Sequence, residues 1–527
     1  MSHSTYSAGG NAIFIAPKRI EVTSEIFIGK DILELLTGAM YVDPLCIYRE
    51  YIQNSCDSID EALQTSTYSG EDFPRIDINF DQASRSVRIR DNGTGISNQD
   101  FIRVLTSIGG SHKRGQKQRG FRGVGRLSGL GYCQELVFRS RAHKTDKVAE
   151  LVWDGRRLKE VLRQATGADE LGEAVRAITS FTLTPSIEAP ARFFEVELRK
   201  LVRVRNDILL NEGVVRSYLG QVAPVSFKPA FQFAGTIDAL LQKHRLNSVY
   251  DIYLNDGQGK VYRPHHDSFP INEKVADTFS GIQTFEIEGI NGDIAAVGWI
   301  LDHSYFGAIP KRAEVAGLRF RSGNIQVGSF DIATALFPEA RFNSWAVGEV
   351  HVLSSSILPN GRRDDFEPSG HYQHFLGALT PFAREISKNC RDKSVIRNRL
   401  KAVESKRQFA QEALSLIRRR DQLPVVRRIL LQRVEKAYSE LVKLTESKSL
   451  KAHERVLVDE QTEKIARSLE KLRTESEVPH PLKDVHPTKR VAYDHVIEII
   501  YSLIPNLTDA HSLSSQVIKA VRNSANR

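Results

Sequence analysis

The chain predicts an α+β protein: an N-terminal α/β sandwich, a second α+β domain and a C-terminal helical region. Three observations lead there. The first 200 residues carry a polar-striped helix, a hairpin and a glycine-rich turn in that order. Short alternating strands dominate from about 228 to 368. From 371 to about 475 glycine almost vanishes and apolar positions become sparse among many charges. The expected domains are 1–220, 221–370, 371–478 and a small helical segment 479–527.

The first element is a helix around Tyr48-Arg49-Glu50-Tyr51-Ile52-Gln53-Asn54-Ser55-Cys56-Asp57. Glu50, Asn54, Asp57 and Glu61 fall at steps of four, three and four and make one polar stripe, while Ile52, Cys56, Ile59 and Leu63 repeat those steps half a turn away as a core face. A surface helix meeting water would satisfy this pattern alone. Next, Ile76, Ile78 and Phe80, then Val87 and Ile89, alternate at period two and form a hairpin running into Asp91. Asp91-Asn92-Gly93-Thr94-Gly95 therefore places a carboxylate at a strand end, followed by backbone free to turn without a Cβ. An acceptor there suits the exocyclic amine of adenine, although such turns are common in hairpins.

Residues 105–122 follow, with five glycines from 109 to 123 and a dense basic cluster. They read as a flap over triphosphate oxygens or as a disordered basic loop. Gly120, Gly123 and Gly125 then approach a helix start, where N–H groups and the dipole favour phosphate. The pattern is not a P-loop, since no Gly-Lys-Ser/Thr follows, and not a Rossmann unit. Strands at 135–140 and 179–184 would complete the sheet. The segment 201–220 reads as helical and 222–227 as a boundary.

In the second domain, strands are expected at 251–254, 284–288, 295–299, 318–321, 325–327 and 347–352. Beyond it come long helices, a hairpin turning near Gln422-Leu423-Pro424, and two short amphipathic helices at 491–503 and 513–521. The first dozen residues read as a flexible arm.

Hydrophobic content of 41% and charged content of 26% are those of a soluble globular protein. Charges interrupt every apolar run well before membrane-spanning length, and the N-terminus lacks a signal-peptide pattern, so a cytoplasmic protein with no membrane partner is expected. Cys46, Cys56, Cys133 and Cys390 have neither zinc-ligand nor disulfide-framework spacing. The net charge of +9 concentrates in residues 384–475, where 24 lysines and arginines face 14 acidic residues. Clusters such as Arg418-Arg419-Arg420 and Arg427-Arg428 could track nucleic-acid phosphates, form a dimerisation arm, or simply solvate a helical hairpin.

Taken together, Glu-x-x-x-Asn-x-x-Asp, Asp-x-Gly-x-Gly and Gly-x-x-Gly-x-Gly in this order resemble the GHKL (Bergerat-fold) ATPase superfamily, which includes DNA gyrase B, the ninety-kilodalton heat-shock chaperones, histidine kinases and MutL. The likeness covers about the first 200 residues. In layout it is nearest to heat-shock-chaperone-like or MORC-like ATPases, and Glu50, where histidine kinases usually carry Asn, points to the hydrolysing branch.

The resemblance implies ATP and Mg²⁺ as ligands. It implies Glu50 as the general base that polarises water, Asn54 as the Mg²⁺ ligand, Asp57 in support of the nucleotide site, Asp91 on adenine N6 and Gly95 lining the base pocket. Gly120, Gly123 and Gly125 would wrap the phosphates, and Lys113 resembles a lid lysine. Thr179 resembles the threonine that reaches adenine through water, with Thr182 as an alternative. In the second domain, Leu358-Pro359-Asn360-Gly361-Arg362-Arg363 resembles a chaperone middle-domain segment whose arginine reaches the γ-phosphate. Arg363 is the favoured match there, with Arg362 and Lys311 as rivals and a surface salt bridge as the bland reading.

The whole then reads as an ATP-driven clamp closing a lid and a second domain over nucleotide. Homodimerisation, a protein or nucleic-acid client and a role in bacterial defence are further expectations. The alternatives are an ATP-gated scaffold with negligible turnover that assembles with a separate effector, and a GHKL-type protein kinase.

Overall fold

The computed structural model describes residues 29–34, 43–70, 72–109, 125–163, 171–185, 188–246, 248–255, 257, 259–273, 275–418, 424–445, 452–474 and 482–525. After a single turn, α1 (Ile32–Glu34), the long α2 (Cys46–Gln64) leads into the hairpin β1 (Arg75–Asp81) and β2 (Ser86–Asp91) and the short α3 (Phe101–Thr106). Then come β3 (Glu135–Arg141), β4 (Lys147–Asp154), α4 (Gly155–Arg163), α5 (Leu171–Ile178), β5 (Thr179–Pro185), β6 (Phe193–Arg199) and α6 (Glu212–Val222).

The β1–β2 register pairs Ile78 with Ile89 and Ile76 with Asp91, so alternation buries Ile76, Ile78, Val87 and Ile89 on the helix-covered face. Ile52, Cys56 and Ile59 of α2 close on them, and each isoleucine contributes about 1.5–3 kcal/mol of burial. Leu63, expected in the core, is 51% exposed; the neighbouring Ala62, three residues beyond Ile59, takes its place. The helix expected over 201–220 begins only at Glu212, where the Asn211 side chain caps it by accepting from Val214 N–H at 3.2 Å. Arg205, Asn206 and Asp207, all at positive φ, hold the preceding residues in turns.

The chain then runs through α7 (Ala234–Lys243) to β7 (Asp251–Leu254) and β8 (Gly259–Lys260). Residues 251–254 were expected in the second domain, but β7 pairs in parallel with β1, completing an eight-stranded sheet in the order β5-β4-β3-β6-β2-β1-β7-β8. Meanwhile Ile237 and Leu241 of α7 pack with Trp299 and Leu301 of the second domain. The polypeptide therefore crosses between the two units more than once, so a cut at 220/221 would split the first sheet.

The second unit opens with the hairpin β9 (Ser268–Pro270) and β10 (Ala276–Thr278). A five-stranded sheet follows, built from β11 (Gly281–Glu288), β12 (Ile294–Asp302), β13 (Gly317–Ser322), β14 (Ile325–Val327) and β15 (Val347–Val352). Its order is β11-β12-β15-β13-β14. β12 is buried on both faces, Ile300 in one core and Trp299 and Leu301 in the other, which explains its nearly continuous apolar sequence.

A buried ionic knot fastens this sheet to the first unit. Glu349 accepts from Arg263 and forms an ion pair with Arg321, Nε to Oε1 at 2.8 Å; Arg321 Nη2 donates to the Gln221 carbonyl at 2.6 Å, at the end of α6.

Helix α8 (Gly370–Ile417) serves two cores. Phe375, Leu379 and Ile386 pack under the second sheet, whereas Ala410, Leu414 and Ile417 join a helical bundle. At 48 residues it spans about 70 Å. The bundle adds α9 (Pro424–Thr445), α10 (Ala452–Thr474), α11 (Pro487–Leu503) and α12 (Leu507–Ala525). One core runs from Val403 to Val521, so the two expected C-terminal segments fold together rather than as a hairpin plus an appendage. Among the described residues no helix is long and apolar enough to cross a membrane.

Candidate nucleotide site

Helix α2 organises the site, and two carboxylates of its polar stripe are buried, Glu50 8% and Asp57 3% exposed, whereas Glu61 at its far end is exposed. Burying carboxylates costs free energy unless charge or ligand compensates, so a solvated surface helix does not describe this stripe. Asn54, one turn beyond Glu50, is half-buried.

The two later motifs lean on this helix from opposite ends. Gly125 opens a 3-10 helix (Gly125–Gly131), and a Cβ placed on it would lie 2.2 Å from Glu50 Oε2. Only glycine lets this backbone approach the carboxylate. Tyr51 latches the same segment: its hydroxyl donates to the Arg126 carbonyl at 3.2 Å and accepts from Gly129 N–H at 3.0 Å. Burial pushes the Arg126 guanidinium down to about 10, still a cation at neutral pH.

At the other end, Thr94 N–H donates to the Ser58 carbonyl at 3.4 Å, and a Cβ on Gly93 would lie 2.1 Å from Ser58 Oγ. Asp91, 1% exposed, accepts from Gly93 N–H at 3.0 Å, which tightens the turn. Asn92 stitches its surroundings, accepting from Arg75 N–H at 2.9 Å and donating to the Phe73 carbonyl at 2.8 Å. Gly95 has φ +68° and abuts the Arg141 carbonyl, so it too needs glycine. Ser140, fully buried on β3, accepts from Ile96 N–H at 2.7 Å and holds the exit of the loop.

Glu50, Asn54, Asp57, Asp91, Gly95 and Gly125 are thus gathered around one helix. Thr179 is not. It starts the edge strand β5, its hydroxyl donating to the Val175 carbonyl at 2.8 Å, and three strands separate it from β2. At the usual strand spacing that is roughly 19 Å from Asp91. Thr182 lies on the same edge strand and shares the displacement. Lys113, Gly120 and Gly123 lie outside the described residues.

The second unit reaches the helix through Arg49. This buried guanidinium lies 3.8 Å from Glu50 Oε1 and donates to the carbonyls of Arg362 at 2.8 Å and Arg363 at 3.5 Å. Arg363 is 7% exposed and holds a left-handed φ of +54°, fixed by its N–H on the Asn360 carbonyl and its carbonyl on Gly328 N–H. Arg362 is half-exposed and pairs with Asp364 at 3.0 Å, and Lys311 sits on an exposed 3-10 turn. Of the three rivals, Arg363 and Arg362 are on the loop that meets α2. Arg49, Tyr51, Ser58 and Ser140 went unread in the sequence. Only Arg49, a charge next to Glu50, left a signal there.

The donor set suits a magnesium–nucleotide pair. Glu50 Oε1 is buried without a hydrogen bond among the described residues, and Asn54 offers a neutral amide oxygen one turn away. Mg²⁺ is ordinarily held by few protein oxygens together with substrate phosphates.

A helix that rests a buried acid against Gly125, beside a strand-end Asp, is an arrangement that suits a nucleotide. Residues 47–173 match the family of histidine kinase-, DNA gyrase B- and HSP90-like ATPases, so this part of the chain is similar to the GHKL ATPase superfamily. The chaperone protein HtpG of Polaromonas naphthalenivorans is 27% identical over 163 residues, covering 28% of this chain and 25% of that protein. HtpG of Halorhodospira halophila is 28% identical over 192 residues, 34% of this chain and 30% of the relative. The DNA mismatch repair protein MutL of Aeromonas hydrophila is 25% identical over 203 residues, 35% and 30% respectively. The chain thus spans under a third of the length of these relatives.

Proposed function

We propose that the chain is an ATP hydrolase whose nucleotide state sets the relation between its first two units. One observation carries this: a single helix rests its acid on the glycine cradle and, one residue earlier, grips the second unit through Arg49.

Asp91 accepts the adenine amine, and the turn beyond it, with Gly95 at positive φ, shapes the base pocket. The N–H groups of the segment at Gly125 face the phosphates, where a short helix start and the nearby Arg126 favour negative charge. Glu50 takes a hydrogen bond from the attacking water and aims it at the γ-phosphorus. Arg49, 3.8 Å away, restrains the carboxylate until nucleotide rearranges the pair. Asn54 would hold Mg²⁺, which when bound neutralises charge on the phosphate oxygens. The loop carrying Arg362 and Arg363 lies within reach of this event through Arg49, so Arg363 supplies the cationic contact from the second unit.

Closure of this kind supports a clamp resembling those of chaperones and MORC proteins, homodimeric in its closed state and acting on a protein or nucleic-acid client. The Arg49–Glu50 ion pair also favours a second reading, a scaffold that binds ATP and turns over negligibly because its base stays restrained. Phosphate release by the full chain, with Mg²⁺ and again after EDTA, separates them. Mg²⁺-dependent release supports the hydrolase, and ATP binding without release supports the scaffold.

A further inference from the structure

A cavity of about 620 Å³ lies at the seam of the two units, away from the nucleotide site. Its walls come from α6, β8, the β9–β10 hairpin and the 312–315 turn, and none of its lining belongs to α2, the 91–95 loop or the 125–131 helix. Five cationic side chains line it, Arg216, Lys228, Lys260, Arg263 and Arg312, against one carboxylate, Glu314.

Three of the five are already committed. Arg263 is held by Glu349 and Asn324, Arg216 pairs with Glu212 at 2.7 Å, and Lys260 pairs with Asp251 at 2.6 Å. Lys228 and Arg312 differ, since neither forms an ion pair among the described residues. Lys228 Nζ instead lies 3.0 Å from His266 Nε2, another base, and burial together with the Lys228 charge pushes that imidazole below its ordinary range. Glu314 is turned to Ser217, whose hydroxyl donates to it across the seam. Lys228 and Arg312 thus share a concave wall on which the one carboxylate, Glu314, is engaged by Ser217, while Asp267 acts by charge on His266. An anion seated between Lys228 and Arg312 would be attracted by both charges.

We propose that this cleft binds a small ligand carrying two or more phosphate groups, gripped by Lys228 and Arg312 and bridging the two units. Its volume lies within the roughly 300–1,000 Å³ typical of small-molecule sites. A nucleic-acid strand fits less well: Phe269 and Phe279 are each only 3% exposed, so these rings offer no stacking platform. Because α6 belongs to the first unit and Arg312 to the second, an occupant would bias how the units sit against each other. The proposal does not depend on ATP hydrolysis.

Calorimetric titration of the full chain with sodium tripolyphosphate tests it. The expected result is a saturable component that survives Gly125→Val, which blocks the nucleotide cradle, and weakens at least about tenfold in Lys228→Gln/Arg312→Gln. Should the double variant fail to fold, Lys228→Gln alone decides by the same criterion. A component lost in Gly125→Val but kept in the lysine variant would put the anion in the nucleotide site and overturn the proposal. Equal weakening by the remote Lys243→Gln would reveal only diffuse charge and overturn it too. So would tighter binding of a duplex of about 20 base pairs with the same Lys228 sensitivity, which would assign the cleft to nucleic acid.

Discussion

Gly125→Ala probes the contact on which the site is built. The added methyl would sit 2.2 Å from Glu50 Oε2 and 3.2 Å from its Cδ, whereas ordinary contact begins near 3.4 Å. Something must yield by about 1 Å, and the nearest atom is the tip of a side chain rather than backbone. With Glu50 only 8% exposed, the carboxylate has little free space to enter, so it leaves its aim. A misplacement of that size costs on the order of 100-fold in turnover. Because flexible atoms take up the strain, fold stability should change by less than about 1 kcal/mol. The assay pairs phosphate release with nucleotide affinity and a melting curve. Loss of turnover with an unchanged melting temperature is expected. Full turnover in a correctly folded variant would refute the placement of Glu50 at the reacting water.

Other outcomes follow from the same geometry. Arg49→Met removes the donor to the Arg362 and Arg363 carbonyls and should speed hydrogen exchange at amides 360–366; unchanged exchange would mean the loop is held without it. Glu349→Gln leaves Arg263 and Arg321 without their buried anion and should cost about 3–5 kcal/mol by denaturant titration. Burial, opposed by Glu349, pushes His351 down to about 4, and burial pushes His265 down to about 3. The unfolded chain therefore binds more protons below the ordinary histidine value of 6.5. This part of the stability is complete above that pH and lost as the pH falls toward 4 and 3, at about 1.4 kcal/mol per pH unit for each proton. A melting temperature flat from pH 7 to 4 would contradict it.

Much of the site was legible because it rests on local pattern. The steps from Glu50 to Asp57 set one helix face, period-two alternation carried the hairpin to Asp91, and glycines marked the places where backbone must approach side chains. What the sequence hid was long-range order. Thr179 opens a strand as expected, but nothing local reveals that β5 is an edge, four positions from β2. Residues 251–254 read as a strand without revealing that β1 is their partner, since parallel pairing is fixed by tertiary packing rather than by a turn. Tyr51 and Ser58 belong to the same helix as Glu50, yet their partners are backbone groups 78 and 36 residues away, which no spacing rule could supply. Residues 487–525 looked separate because their apolar stripes are short, and only packing against α9 merges them with the preceding helices.

In the proposed mechanism Glu50 is the group that turns bound ATP over. Glu50→Gln keeps the side-chain volume and removes the base, so equilibrium binding of ATP and steady-state phosphate release, measured on the full chain beside the wild type, test it directly. Retained binding with release reduced at least about 100-fold is the predicted result. Equal release from both proteins would contradict it.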